Sequence, residues 1–323
     1  NYNTSLGLSA GDAAFKQHIA ANNQGANTDW LGAVTRSALQ TSHQLSISGG
    51  NDRTLFYVSG GFYDQQGVIR QTEFKRYNLR TNLTHQLKSK LRVDANIALS
   101  SSDNTRSTGD GNIYSPWVNA LKAGPDYAIY AADGSYNGVN PGLYNPLELI
   151  DGQEQTSKKY RAIVNLKGEW KILPVLTYRI GLDGDYNIMH ERGYFPATSI
   201  QGATSKGEVT DYRGFSFTQL IEHTLDFKKK FGDLDLGVLA GYSYQKTKID
   251  NAYVGGINFL SPSLKYITSA GEIDTGSSSL QEYALQSFFG RVNLNYAERY
   301  LLELSLRSDA SSKFSSANRV GYF

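Results

Sequence analysis

Six aromatic residues, Tyr114, Trp117, Tyr127, Tyr130, Tyr136 and Tyr144, are interleaved with Asn and Asp in a stretch running from about 103 to 158. Flat rings stack on sugar faces while amides and carboxylates bond hydroxyls, so this composition fits a surface that contacts a glycan. It fits equally a loop that packs on its own rings and seals a mouth or meets a partner protein. Elsewhere the reactive residue types do not assemble. The five histidines, His18, His43, His85, His190 and His223, are dispersed, form no His-x-x-x-His or His-Glu-x-x-His pair, and have no cysteine beside them to complete a zinc site. Asp183-Gly184-Asp185 has the types of a calcium loop, but its two carboxylates share one strand face and no twelve-residue loop follows. No residue set stands out for a serine hydrolase or a nucleotide enzyme. The expectation is a protein that is not an enzyme and carries no metal and no cofactor.

The elements that must position these residues are strands. Leu91, Val93, Ala95, Ile97 and Leu99 alternate with Arg92, Asp94, Asn96 and Ser100, which puts oil on one face and water on the other. The same alternation predicts ten strands, near 43 to 49, 54 to 64, 74 to 88, 91 to 102, 159 to 172, 175 to 190, 213 to 229, 234 to 248, 283 to 296 and 300 to 309. Residues 1 to 42 read as a loop segment with one short helix, near 9 to 21, leading into a sheet that fills 43 to 323. Short hairpin turns follow the first, third, fifth, seventh and ninth strands; long connections, near 103 to 158, 191 to 212 and 249 to 282, fall between. That parity is the arrangement of an outer-membrane β-barrel, with short periplasmic turns and long outer loops.

The charges sort accordingly. Arg80, Asn82, Arg92, Asp94, Arg161, Arg179, Asp183, Asp185, Glu222, Arg291, Asn293, Glu303 and Arg307 all fall on the polar register and are expected to face the lumen. Within the apolar runs themselves, such as Tyr77 to Leu83, Ala162 to Trp170, Tyr178 to Ile188, Phe217 to Phe227 and Leu236 to Tyr244, no Lys, Arg, Asp or Glu falls on the apolar register, as expected where a charge at mid-bilayer costs about 2–4 kcal/mol. Trp170 and Phe227 near short turns, and Tyr186 and Tyr244 toward long loops, are candidate aromatic girdles. His85 and His223 fall on the apolar register, which predicts interfacial placement rather than ligation. A soluble β-sandwich could also use such rings as core, but the predicted strands of 12 to 17 residues exceed the roughly five or six usual there.

Composition agrees. The chain has 323 residues, rich in Tyr and Gly (22 and 32) with only 7 Pro, a balance that favours β structure. Mean hydropathy is negative, and no apolar run approaches the roughly 20 residues of a spanning helix, a test that barrels escape because half of each strand is polar. With 32 basic and 30 acidic residues the net charge is +2, which gives no electrostatic case for nucleic acid. Absence of cysteine is compatible with an oxidising compartment. No signal peptide precedes Asn1 and the chain stops at Phe323, so the expectation is an internal portion of a longer protein.

Three stretches resemble the SusC/RagA group of TonB-dependent transporters from Bacteroidetes-type outer membranes. The first is Thr28-Asp29-Trp30 followed by Gln44-Leu45-Ser46-Ile47-Ser48-Gly49-Gly50-Asn51-Asp52, Phe56-Tyr57-Val58-Ser59-Gly60-Gly61-Phe62 and Gly67-Val68-Ile69. The second is Arg76-Tyr77-Asn78-Leu79-Arg80-Thr81-Asn82-Leu83. The third runs from Ser287-Phe288-Phe289-Gly290-Arg291 through Tyr300-Leu301-Leu302 and Arg307-Ser308-Asp309-Ala310-Ser311-Ser312 to Gly321-Tyr322-Phe323. Ala310 departs from the family, which usually has Gly there. The resemblance implies part of a 22-stranded barrel with a plugged lumen, the plug and TonB box lying outside these residues. It also implies a SusD-like lipoprotein and the TonB complex as partners, outer-membrane lipid around the wall, and an oligosaccharide or peptide as cargo. A siderophore or cobalamin receptor would share the location without the lipoprotein; a soluble β-rich carbohydrate-binding module belongs to another class. Free edges on ten strands would invite aggregation, so the rest of the wall is expected elsewhere in the full protein, unless ten strands close on themselves.

Overall fold

The computed structural model describes residues 26–323 except 110, 140 and 141. The helix expected near 9 to 21 lies outside the described residues. A short helix, α1 (Trp30–Val34), opens the described part, capped by the Asp29 carboxylate, which accepts from the Gly32 amide at 2.9 Å. Strands follow as β1 (Gln40–Gly50), β2 (Thr54–Gln66), β3 (Glu73–Lys88), β4 (Leu91–Arg106), β5 (Glu154–Leu173), β6 (Leu176–Phe195), β7 (Glu208–Phe231), β8 (Leu234–Phe259), β9 (Ala270–Tyr296), β10 (Tyr300–Ser311) and β11 (Val320–Tyr322). They form one antiparallel sheet of 11 strands in strict chain order, in which every neighbour in sequence is a neighbour in space. Among the described residues β1 pairs only with β2 and β11 only with β10, so the sheet does not close on itself.

Register carries the alternation across the whole sheet. Leu45, Gly60, Leu79, Leu99, Ala162, Tyr186 and Phe217 stand opposite one another in a single row. The adjacent rows, one residue along, are mostly polar, with Ser46, Ser59, Arg80 and Asp185 in one and Gln44, Asn78, Ser100 and Arg161 in the other. Among the described residues no second layer covers the apolar face: Leu45 is 81% exposed, Ile47 63% and Leu306 65%. A soluble sandwich would bury those side chains, so this face is built for a non-aqueous surround. Among the described residues no helix is long and apolar enough to cross a membrane. The two histidines predicted to sit at the membrane interface are each tied to a hydroxyl, His85 Nδ1 to Thr54 Oγ1 at 2.7 Å and His223 Nδ1 to the Tyr178 hydroxyl at 2.6 Å. Both lie in one register row, and the bond spares each ring an unpaired polar atom in lipid.

Strands run further out than the alternation indicates. β7, β8 and β9 have 24, 26 and 27 residues, where about ten span a bilayer. β8 and β9 extend through most of the region read as a 249 to 282 loop, leaving 260 to 269 as the connection, and the 191 to 212 loop contracts to 196 to 207. The cause is physical: above the lipid both faces are wet, so Lys246, Lys248 and Asp250 replace oil on the outward register and the hydrophobic period vanishes while pairing continues. The turn after β9 places Ala297 and Glu298 in the left-handed region at φ 52° and 55°, the geometry that matches hairpin twist.

The buried apolar clusters lie at the long-loop end of the sheet. Trp30, Val34, Ala120, Leu147 and Ile150 form one; Tyr194, Val209 and Phe259 form another. Two helices the alternation did not reveal, α2 (Pro116–Lys122) and α3 (Pro146–Asp151), supply the first with its walls.

Candidate functional site

The polar face is organised around Glu169 and Arg179, which stand opposite each other on β5 and β6. Arg179 donates to Glu169 at 2.8 Å and to Asp226 on β7 at 3.3 Å, so one guanidinium joins three strands. Arg92 stands opposite Glu169 from β4, with 3.9 Å between charged atoms, and donates to Asp94 at 3.2 Å. Asp94 also accepts from the Thr84 hydroxyl at 2.6 Å, and Asp183 from the Asn165 amide at 2.6 Å. Further out, Arg161 meets Asp185 through two bonds, at 2.9 and 2.6 Å. Opposite charges facing across strands stabilise a sheet, and their exposure holds each pair to about 0–1 kcal/mol. A groove of about 500 Å³ opens among Arg92, Asp94, Lys167, Arg179, Asp183 and Glu222, toward the short-turn end.

The thirteen polar-register residues are not brought into one cluster. Arg80 lies against Asn82 at 3.4 Å on β3, beside the main network. Arg291, Asn293, Glu303 and Arg307 form a second group on β9 and β10: Arg291 is 3.8 Å from Glu303, which stands opposite Asn293, and Arg307 donates to Asp309 at 2.8 Å and to Ser287 at 3.1 Å. β8 separates the two groups with Leu239, Gly241, Ser243 and Gln245 on the same face. Cross-strand partners such as Asn165 and Thr84 are absent from the expected set, because pairing depends on register rather than on a residue's own face. Among the described residues no three His, Asp or Glu side chains are placed to hold a metal.

Above this wall the 107 to 153 connection forms a fixed cap. The Trp30 indole donates to the Gly124 carbonyl at 2.8 Å and the Thr28 hydroxyl to that of Tyr127 at 2.7 Å, joining α1 to the cap. Tyr127 and Tyr136 pack against the Trp30 cluster. Tyr136 also donates to Asp151, and burial together with that carboxylate pushes its hydroxyl pKa well above the usual tyrosine range. Tyr114 and Tyr144 stack with ring centres 5.1 Å apart; Tyr130 lies 5.3 Å from Tyr136 and is 52% exposed; Trp117 is half-buried on α2. Two buried asparagines that composition alone does not single out bind the cap. Asn119 donates to the Ile113 and Ser115 carbonyls at 2.7 and 2.9 Å and accepts from the Tyr144 amide at 2.8 Å. Asn145 donates to the Ile129 and Asn137 carbonyls at 2.8 and 3.0 Å, while its oxygen caps α3 by accepting from Leu147 at 3.1 Å.

Asn145→Ala removes a cap and the side-chain amide that donates to the Ile129 and Asn137 carbonyls. The cap is expected to lose about 1–2 kcal/mol, read as faster amide exchange within 107 to 153 while β5 and β6 keep their protection. Unchanged exchange in the cap would contradict this role.

No family model matches the chain. Over 96% of its length it is 31% identical to TonB-dependent receptor P3 of Formosa agariphila, covering 32% of that protein. It is 23% identical over 92% of its length to TonB-dependent receptor SusC of Bacteroides thetaiotaomicron, again covering 32%. The RagAB peptide transporter structure superposes on 92% of the chain with a TM-score of 0.79, at 24% identity and over 34% of the transporter chain. The chain is similar to barrel sequence of TonB-dependent receptors of the SusC/RagA type. The chain spans about a third of the length of these relatives. Its place is the bacterial outer membrane. The relatives are named as receptors and as a transporter, not as enzymes. The eleven strands are thus consistent with part of a larger barrel wall rather than a closed barrel of their own.

Proposed function

We propose that the full-length receptor imports a nutrient, an oligosaccharide or a peptide, through a plugged barrel energised by the TonB complex, with a SusD-like lipoprotein at its outer face. No bond is made or broken in this reading. The observation that carries it is the division of the wall: a charged, cross-braced polar face against a continuous uncovered apolar one. Arg92, Arg179, Asp183 and Glu222 then line the lumen on its periplasmic half, where a polar surface offers many weak partners instead of one tight site. Tyr130 and the Tyr114–Tyr144 pair are the cap rings placed to meet cargo, since Tyr127 and Tyr136 serve the cap's own core.

Deleting the full-length gene is expected to abolish growth on one class of oligosaccharide or peptide as limiting nutrient, with rescue by the wild-type gene only where TonB is present. Growth on the corresponding monomer stays normal. A defect confined to iron or cobalamin limitation would replace this reading with a siderophore or cobalamin receptor.

A further inference from the structure

The outer half of β9 is an open strand edge. β10 pairs with β9 only from Leu285 to Tyr296, and one bond further out the Ser312 amide donates to the Ala284 carbonyl at 2.9 Å. Past that point the chain leaves through 312 to 319 and returns as β11 on the far side of β10. Among the described residues only β8 pairs with the upper part of β9, and residues 271 to 282 are all exposed. Each strand here pairs only with its neighbours in sequence, so a further wall strand would add to β11 and not to this edge.

Register tells which backbone groups are free. Ala284 turns both its carbonyl and its amide toward β10, the amide donating to the Ser312 hydroxyl at 2.8 Å. Successive residues of an antiparallel strand turn these groups to opposite edges. Gly276, Ser278, Leu280 and Glu282 therefore present theirs to the open side, while Ser277, Ser279 and Gln281 bond β8. The result is a row of alternating donors and acceptors roughly 20 Å long. Edges of this kind are normally guarded by Lys, Pro or a bulge. From Gly276 to Glu282 there is neither Lys nor Pro, and the irregularity opposite Gly255 and Gly256 lies further out.

The chemistry of the edge selects an occupant. Ser277, Ser278 and Ser279 are small, and a Cβ added at Gly276 meets nothing within 4 Å, so both faces beside the edge have room for large side chains. Such an edge bonds main chain without reading sequence, which suits cargo of varied sequence better than a dedicated partner strand. A sugar chain has no regular alternation of amide and carbonyl to match it. Charge at the outer tip adds a preference. Between 246 and 282, Lys246 pairs with Glu282 at 3.3 Å, Lys248 with Asp250 at 3.7 Å and Lys265 with Glu154, which leaves Glu272 and Asp274 without a cation among the described residues. Burial and the Asp274 charge together push the nearby Glu208 carboxyl above the usual carboxylate range, in keeping with uncompensated negative charge.

We propose that the open edge of β9 from Gly276 to Glu282 captures cargo peptides in extended form, as an added strand, with a preference for a basic side chain near Glu272 and Asp274. The inference rests on the import reading above and selects the peptide from its two cargo classes.

The test measures binding to the full-length receptor in mild detergent by equilibrium dialysis. The probes are a peptide of about eight residues alternating Thr and Val with one terminal Lys, its backbone N-methylated form, and an oligosaccharide of similar length. Wild type is expected to bind the plain peptide, and the N-methylated one at least about tenfold more weakly. Gly276→Pro combined with Ser278→Pro removes two edge donors and spares the β8 bonds, so peptide affinity falls about tenfold while heat-modifiable migration shows the barrel still folded. Glu272→Gln with Asp274→Asn abolishes the preference for the Lys peptide over the same peptide without Lys. Leu304→Ala, on β10 and far from this edge, leaves peptide affinity unchanged. Equal binding of the two peptide forms, wild-type affinity in the proline variant, or tighter binding of the oligosaccharide would overturn the proposal. A dimer that the two prolines dissolve, with no peptide bound, would assign the edge to a second copy and overturn it too. Import is judged separately: if deleting the gene alters growth on no nutrient, the import reading falls while the measured capture of peptide at the edge stands.

Discussion

Leu182→Arg destabilises the folded receptor by about 2–4 kcal/mol, while Asp183→Arg at the next position costs little in the same measurement. Leu182 sits midway along the apolar register of β6, between Tyr178 near the short turn and Ile188 near the outer rim. A guanidinium there is too far from either headgroup zone to reach water at low cost. Asp183 lies on the opposite face, where its replacement forfeits the 2.6 Å bond from Asn165 but leaves the new charge solvated. Unfolding of the full-length protein from lipid vesicles by guanidinium, compared at equal slope, separates the two. Similar losses for both variants would contradict the assignment of lipid to the Leu182 face, and with it the division of the wall on which the transport reading depends.

Trp30→Ala is expected to open the cap without loosening the wall. Trp30 is 3% exposed, lies at the centre of a cluster with Val34, Ala120, Leu147 and Ile150, and donates its indole hydrogen to Gly124. Truncating a buried Trp costs about 3–5 kcal/mol, through lost burial and the cavity left behind. Since about 1.4 kcal/mol is a factor of ten, the population of opened cap rises by at least roughly a hundredfold. Limited proteolysis of the intact receptor reads this directly: cleavage within 107 to 153 accelerates by that order, while the heat-modifiable migration of the barrel is retained. Loss of the barrel signal itself would show that the cap and wall unfold as one unit. If the cut rate stayed at the wild-type level, the cap would owe its order to something other than this cluster.

Much of this architecture is legible from residue order, and the parts that are not have identifiable causes. Inside the lipid each strand sees two solvents, so Leu91 to Leu99 and its counterparts declare both their conformation and their faces. Beyond the lipid the outer halves of β8 and β9 see one solvent, and Thr247, Ile249 and Asn251 alternate with charged residues without a hydrophobic period. The cap helices did leave a signal. Ser115-Pro116 and Asn145-Pro146 each place a capping side chain before a proline at the first helical position, where a missing amide is harmless. Aromatic spacing drew attention to ligand chemistry instead, although two of those rings, Tyr127 and Tyr136, pack inward. The polar network was half-readable: which face Arg179 occupies follows from parity, but its bridging of Glu169 and Asp226 requires the register between three strands.

The strict order of the sheet also bears on how such a wall comes into being. Because every strand pairs with its predecessor, each addition closes only a hairpin, and the 107 to 153 excursion between β4 and β5 adds little, since closure entropy grows only with the logarithm of loop length. The sheet can therefore grow one strand at a time from a single leading edge, with no long-range search at any step. At every stage that edge is a row of unpaired amides and carbonyls, so the nascent wall is self-templating and equally a trap for foreign strands until it is sealed. Speed of zippering and exposure to misassembly are two results of the same topology.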